Sequence, residues 1–198
     1  MAKLKAVIET NIVAIYPTLD LRAVDVNAIG KIGELENDTY GNTFLVGNKA
    51  LKLIMPQTKI EIEIAENRLK IADLLGKKPE ESDIVKRYLV SVNNLLTPYK
   101  SSIYGFNFVV DLDTESDLKI LADKFYGLIP GTTVKAQEAS MLLQSTDTSY
   151  TIKLAKKIDK VYQLIFNKEI NGNADNMETI QANFVKSYQI MEEVVNGI

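Results

Sequence analysis

The stretch Lys59 to Ile64 reads K-I-E-I-E-I, and it narrows what the chain can fold into more than any other segment. Apolar and charged side chains that alternate with period two are the mark of a strand with one buried and one wetted face. If Glu66-Asn67 is a two-residue turn, Ile64 faces Leu69 and Ile62 faces Ile71 on one side, while Glu63 faces Lys70 on the other. A slip of one residue would bury Glu61, Glu63 and Lys70 together, so the register is strongly specified. Glu61 and Glu63 then form the solvent row of a half-buried antiparallel sheet, not a catalytic pair.

The other elements follow the same logic. Lys3 to Tyr16, with Leu4, Ala6, Ile8, Ile12, Ala14 and Tyr16 on one side, reads as a first strand ended by Pro17. Leu21, Val24, Ala28, Ile29 and Ile32 fall at helical spacing up to Gly33. Thr43–Gly47 and Lys49–Met55 flank Gly47-Asn48, a pair suited to a tight hairpin. Pro79-Glu80-Glu81 opens a helix with proline in its first turn and carboxylates at the positive end of the dipole. Its stripe is Ile84, Tyr88, Val92 and Leu95. In the second half, Tyr104–Leu112 reads as a strand. Thr114-Glu115-Ser116-Asp117 resembles a cap for a helix bearing Leu118, Leu121, Ala122 and Phe125. Val134–Gln144, Tyr150–Lys156 and Val161–Ile170 read as strands, with a turn at Asp147-Thr148. Asp175 caps a last helix carrying Ile180, Phe184, Tyr188, Met191 and Val195. That hairpin places Met141, Leu143, Ile152 and Leu154 under the long helices.

Residues 1–100 and 101–198 therefore share one order of elements: strand, short helix, antiparallel strands, long helix. The expected fold is α+β, a duplicated unit closing into one pseudo-twofold body, with a curved antiparallel sheet and long helices on one face.

This order, given twice in 198 residues, resembles the tandem repeat of the TATA-box-binding protein family. Ile8-Glu9-Thr10-Asn11-Ile12-Val13 before Leu19-Asp20-Leu21, and the hairpin Ile60 to Ile71 before a helix, stand where that family has equivalent elements. The resemblance implies a concave sheet that binds the DNA minor groove through basic flanks and phenylalanine wedges. Here that row would hold Glu61 and Glu63 opposed by Lys70, without paired phenylalanines, so no functional residue is carried over. Residues 1–100 hold 14 basic and 13 acidic side chains, net +1, and residues 101–198 hold 9 and 13, net −4. Neither half offers the field that phosphate binding needs, which argues against nucleic acid as a partner.

The chain has no Cys and no His. Disulfides, thiol catalysis, thiolate metal sites, Ser-His-Asp triads and imidazole shuttles are all excluded, and acid-base chemistry is left to Asp, Glu, Lys and Tyr. The expectation is a non-enzymatic protein without a cofactor or resident metal. Asp111-x-Asp113-x-Glu115-x-Asp117 imitates the start of a calcium loop but lacks its glycine and its closing glutamate, since Ser116 and Ala122 stand there. Neither Gly30-Lys31-Ile32-Gly33 nor Gly41 to Gly47 has the spacing of a phosphate loop. No apolar run approaches the roughly 20 residues of a membrane span, and no secretory core follows Met1–Lys5, so a cytoplasmic protein without a membrane partner is expected.

Three readings of use follow. Val85, Leu89 and Leu96 on one long helix, with Val185, Ile190 and Val194 on the other, exceed what a two-layer fold needs, and point to a protein partner, first of all a second copy in a homodimer. Tyr88, Tyr104, Phe106, Phe108, Tyr162, Phe166 and Tyr188 could line a ligand pocket between sheet and helix, or simply fill a core. A carboxylate enzyme using a divalent ion is the third reading. Lys153, Lys156, Lys157 and Lys160 make a basic corner, read first as charge that discourages strand pairing.

Overall fold

A computed structural model describes residues 3–35, 42–46, 50–113, 138–158, 161–171 and 176–197. The strands are β1 (Lys3–Ile15), β2 (Asn42–Val46), β3 (Ala50–Met55), β4 (Ile60–Ala65), β5 (Arg68–Asp73), β6 (Ile103–Asp113), β7 (Glu138–Gln144), β8 (Thr148–Ile158) and β9 (Val161–Asn171). The helices are α1 (Val26–Leu35), α2 and α3 (Met177–Gly197); α2 is a π-helical turn, Ile84–Leu89, that runs directly into the α-helix Val90–Leu95. The fold is α+β. All nine strands join one antiparallel sheet in the order β2-β3-β4-β5-β1-β6-β9-β8-β7, so the first strands of the two halves meet at its seam.

The register of the β4–β5 hairpin is the expected one: Ile62 faces Ile71, Ile64 faces Leu69 and Glu63 faces Lys70. Asn67 supplies the positive φ (62°) that the tight turn requires. Ile60, Ile62, Ile64, Leu69 and Ile71 are buried. On the opposite face the charges pair with one another, and all but the exposed Arg68 are half-buried: Lys52 with Glu61 at 2.7 Å, Lys70 with Glu9 at 2.7 Å, and Arg68 with Glu63.

Helices and sheet enclose one core. α1 contacts β2 and β3, α2 contacts β5, and α3 contacts β1 and β6; α2 also touches both other helices, so the three make one layer. Phe184 of α3 stacks on Phe106 and Phe108 with centroids 5.8 and 5.5 Å away, and Tyr188 meets Phe108 edge-on at 5.3 Å. Among the described residues no helix is long and apolar enough to cross a membrane.

Four expectations are corrected. Bulges between Leu4 and Ala6 and between Val7 and Glu9 break the alternation of β1, leaving Leu4 and Ile8 exposed while Thr10 and Asn11 are buried. The helix expected from Pro79 starts only at Ile84. The buried Asp73 carboxylate accepts from Leu75 N and from the Ser82 hydroxyl, and Thr10 Oγ1 donates to Lys77 O, which ties residues 74–82 into a loop. The second hairpin turns at Thr146-Asp147, one residue early: Ser145 N donates to Thr148 O, and Gln144 faces Ser149. Leu154 is buried and Met141 and Ile152 are half-buried, but Leu143 is 48% exposed: α3 packs mainly over β1 and β6, while β7 is the last strand of the sheet. Finally, α3 is capped by Asn176, whose Oδ1 accepts from Glu178 N. Asp175, the Gly47-Asn48 turn and the helix expected after Thr114 lie outside the described residues.

Gly76 shows how closely the 74–82 loop sits on β1. Its φ is +64°, and a Cβ there would lie 1.9 Å from the Val7 carbonyl oxygen. Gly76→Ala should cost roughly 2–4 kcal/mol in urea unfolding. Ile62→Ala should cost roughly 2–5 kcal/mol, while Glu61→Ala, on the paired open face, should cost less than about 1 kcal/mol. Equal costs at positions 61 and 62 would contradict the face assignment.

Candidate functional site

At the end of the sheet where β1 leaves and β6 enters, the layer of helices does not close. Ala14 faces Tyr104, so Tyr16, two residues further on and just past the end of β1, is a diagonal neighbour of Tyr104 on the helix side. Above them α2 carries Val90, Asn93 and Asn94, followed by Thr97, at the i, i+3, i+4, i+7 spacing of one helical face. Its other face, Val85, Tyr88, Leu89, Val92 and Leu96, is buried. With Tyr99, Lys100, Ser101 and Met177 these residues enclose a cavity of about 430 Å³, within the range of small-molecule sites.

The floor is a hydrogen-bonded chain of polar groups. Ser101 Oγ donates to the Tyr104 hydroxyl at 2.8 Å, Tyr104 and Tyr16 are hydrogen-bonded, and the Tyr16 hydroxyl donates to Asn93 Oδ1 at 2.5 Å. Tyr16 and Tyr104 are almost wholly buried. Burial first, then the neighbouring Tyr104, raises the Tyr16 pKa well above that of a free phenol, so Tyr16 stays a neutral donor throughout the neutral range. Thr97 Oγ1 donates to Asn94 O at 2.6 Å. Among the described residues the lining offers hydroxyls, carboxamides and one ammonium, Lys100, and no carboxylate. These groups suit a compact polar ligand that is neutral or negatively charged, and among the described residues they include none of the anionic oxygens that a divalent cation needs. Among the described residues no group of three carboxylates is placed to bind a metal.

The residues singled out from sequence are placed elsewhere. Val85, Leu89 and Leu96 are at most 1% exposed, because α2 packs against α1 and α3 as well as the sheet, and that absorbs its apolar surplus. Val185, Ile190 and Val194 are half-buried, the last two against the core. Of the aromatic set, only Tyr104 lines the cavity; Tyr88, Phe106, Phe108, Tyr162, Phe166 and Tyr188 are core. Of the basic corner, Lys153 is exposed and Lys157 is paired with Asp111 at 3.2 Å. The side chains of Lys156 and Lys160 lie outside the described residues. Asp111 and Asp113 pair with Lys157 and Lys5, while Glu115 and Asp117 are outside the described residues.

The open face of the sheet is the other surface of note. Asn11, Asn107 and Asn167 stand in one row across β1, β6 and β9. Asn107 Nδ2 donates to Asn11 Oδ1 at 2.9 Å, and Asn11 and Asn167 donate to Glu9 and Glu169. These bonds hold the seam in register.

No family model matches the sequence, and no curated protein is significantly similar to it.

Two buried phenols set an alkaline limit. Burial, with Glu192 nearby, pushes Tyr188 up to about 12, and Tyr16 lies higher still. Both stay protonated in the folded chain after their unfolded counterparts ionise near pH 10. The contribution of these two phenols to stability should therefore be level below about pH 10 and fall above it, by up to about 1.4 kcal/mol per pH unit for each tyrosine. Tyr16→Phe should reduce that slope, and at neutral pH should cost roughly 1–3 kcal/mol by leaving Asn93 Oδ1 without its donor. Denaturant melts at pH 8 and pH 11 check both, and an unchanged slope in Tyr16→Phe would contradict the assignment.

Proposed function

We propose that this chain is a non-enzymatic binding protein whose recognition element is the cavity between α2 and the β1–β6 end of the sheet, and whose ligand is a compact hydroxylated molecule, neutral or carrying one negative charge. The observation that carries the reading is the conjunction of a cavity of about 430 Å³ with a floor of buried, mutually bonded hydroxyls and, among the described residues, a lining without carboxylate. Buried polar groups aimed at a cavity cost stability unless they are satisfied, and they discriminate strongly among ligands that can or cannot pair with them. The shared order of strands outward from the seam, β1-β5-β4-β3-β2 and β6-β9-β8-β7, supports the reading of residues 1–100 and 101–198 as duplicated halves about a pseudo-twofold. It also supports the resemblance to the TATA-box-binding protein family at the level of element order alone.

The test is ligand-observed NMR with a set of small polyols and hydroxy acids, run on the chain and on Val90→Trp, which fills the cavity without touching the tyrosine chain. Binders should be lost in the variant while its thermal midpoint stays within a few degrees. Binders retained by Val90→Trp would contradict the proposal.

A second reading, association through a protein surface, is favoured by the edge strand β7. Leu142 is 67% exposed and Leu143 48%, on opposite faces of a strand that ends the sheet. A second copy pairing there would cover both. Sedimentation velocity should then show a concentration-dependent dimer that Leu142→Lys converts to a monomer of 22.1 kDa. A monomer at all concentrations would end this reading.

A further inference from the structure

The hydroxyl protons around the cavity are already committed, and that decides what its polar groups still offer. Ser101 Oγ gives its proton to Tyr104 at 2.8 Å, the Tyr16 hydroxyl gives its own to Asn93 Oδ1, and Thr97 Oγ1 donates to the Asn94 carbonyl at 2.6 Å. A hydroxyl that has donated can still accept, so Ser101 and Thr97 are left as acceptors. Asn93 has the opposite remainder: its Oδ1 is taken by Tyr16, and its Nδ2 keeps its two N–H donors. Beside them stands Lys100, the one cation among the described lining residues. Its backbone is held on both sides, since Tyr99 N donates to Leu96 O and Ser102 N donates to Ile15 O, each at 2.8 Å. Lysines of the open sheet face are paired with carboxylates, Lys52 with Glu61 and Lys70 with Glu9, whereas Lys100 has no ion pair among the described residues.

One ammonium, carboxamide donors and hydroxyl acceptors in the same cavity are complementary to a molecule that carries an anionic oxygen pair and an O–H group together. A carboxylate can take a charge-assisted hydrogen bond from Lys100 and a second bond from a carboxamide N–H. A neighbouring hydroxyl of the same molecule can then donate to Ser101 or Thr97. A neutral polyol leaves the ammonium unanswered, and a plain carboxylate leaves the acceptors unanswered, so each forfeits part of the recognition. A dianion is matched less well, because the described lining holds a single cation. Resting on the cavity as the recognition element, we propose that its ligand is a small hydroxy acid with one carboxylate, and that Lys100 is the residue that selects it over neutral polyols. Lys100 is exposed, so it adds selectivity to the site and leaves the cavity itself intact when it is replaced.

The experiment uses the full ¹⁵N-labelled chain, titrated with three probes on one three-carbon skeleton: sodium glycerate, glycerol and sodium propionate, at constant ionic strength. Glycerate should move the side-chain amides of Asn93 and Asn94 and the backbone amide of Lys100 along one saturable curve. Glycerol and propionate should each bind about tenfold more weakly. Lys100→Gln should weaken glycerate by about tenfold and leave glycerol unchanged, and Lys100→Arg, which keeps the charge, should restore most of the loss. Equal affinity for glycerate and glycerol, or a glycerate midpoint that Lys100→Gln does not move, overturns the proposal and leaves the cavity as a site for neutral ligands. Absence of a saturable glycerate shift overturns it as well, with binding of neutral polyols then deciding the cavity separately. Glycerate binding that survives in Val90→Trp overturns both.

Discussion

The antiparallel pairing of β1 with β6 is the contact on which the rest of the molecule depends. These strands belong to different halves of the chain, yet they lie side by side from Lys3 opposite Asp113 to Ile15 opposite Ile103. That pairing joins the strands of both halves into one surface, and α3 lies across its two central strands. It sets Ile12 against Phe106 and Thr10 against Phe108, so residues almost a hundred positions apart share one row under Phe184. Closing so long a loop is a slow step that is rewarded only when the core forms with it, which makes the seam and the core one cooperative event.

The same pairing builds the candidate site. Tyr16 and Tyr104 meet because Ala14 faces Tyr104, and the cavity opens because α2 ends beyond them, with Leu96 its last buried residue. The helix separates two duties on two faces, with apolar groups turned to the sheet and its neighbours and Asn93, Asn94 and Thr97 turned to the cavity. The wetted face contributes differently. Its ion pairs and asparagine row add little to stability individually, but they make the wrong register costly.

What could be read from the residues, and what could not, divides along the range of the interactions. The β4–β5 register was legible because alternation and turn chemistry are local, and Asn67 adopts the backbone that the turn needs. The bulges of β1 were not, since Ile8 looks like any other inward residue until its partner strand shows that it is the extra one. The late start of α2 was hidden because Pro79-Glu80-Glu81 is a sound local start; the bond from Ser82 to Asp73, nine positions away, overrides it. Val85 and Leu89 resembled an interface because a helix packed on a sheet alone leaves them bare, and only the contacts with α1 and α3 bury them. The cavity did leave a local trace in Val90, Asn93, Asn94 and Thr97, a stripe opposite the apolar one. Its floor did not, because Tyr16 and Tyr104 come together only across the seam.

Native-state hydrogen exchange distinguishes one cooperative body joined at β1–β6 from two halves that open separately. Amides of β1, β5, β6 and β9 should share one opening free energy, equal to that of global unfolding, with the same denaturant dependence. Two separate values, one for β1 and β5 and a lower one for β6 and β9, would show that the halves open independently and would contradict the account.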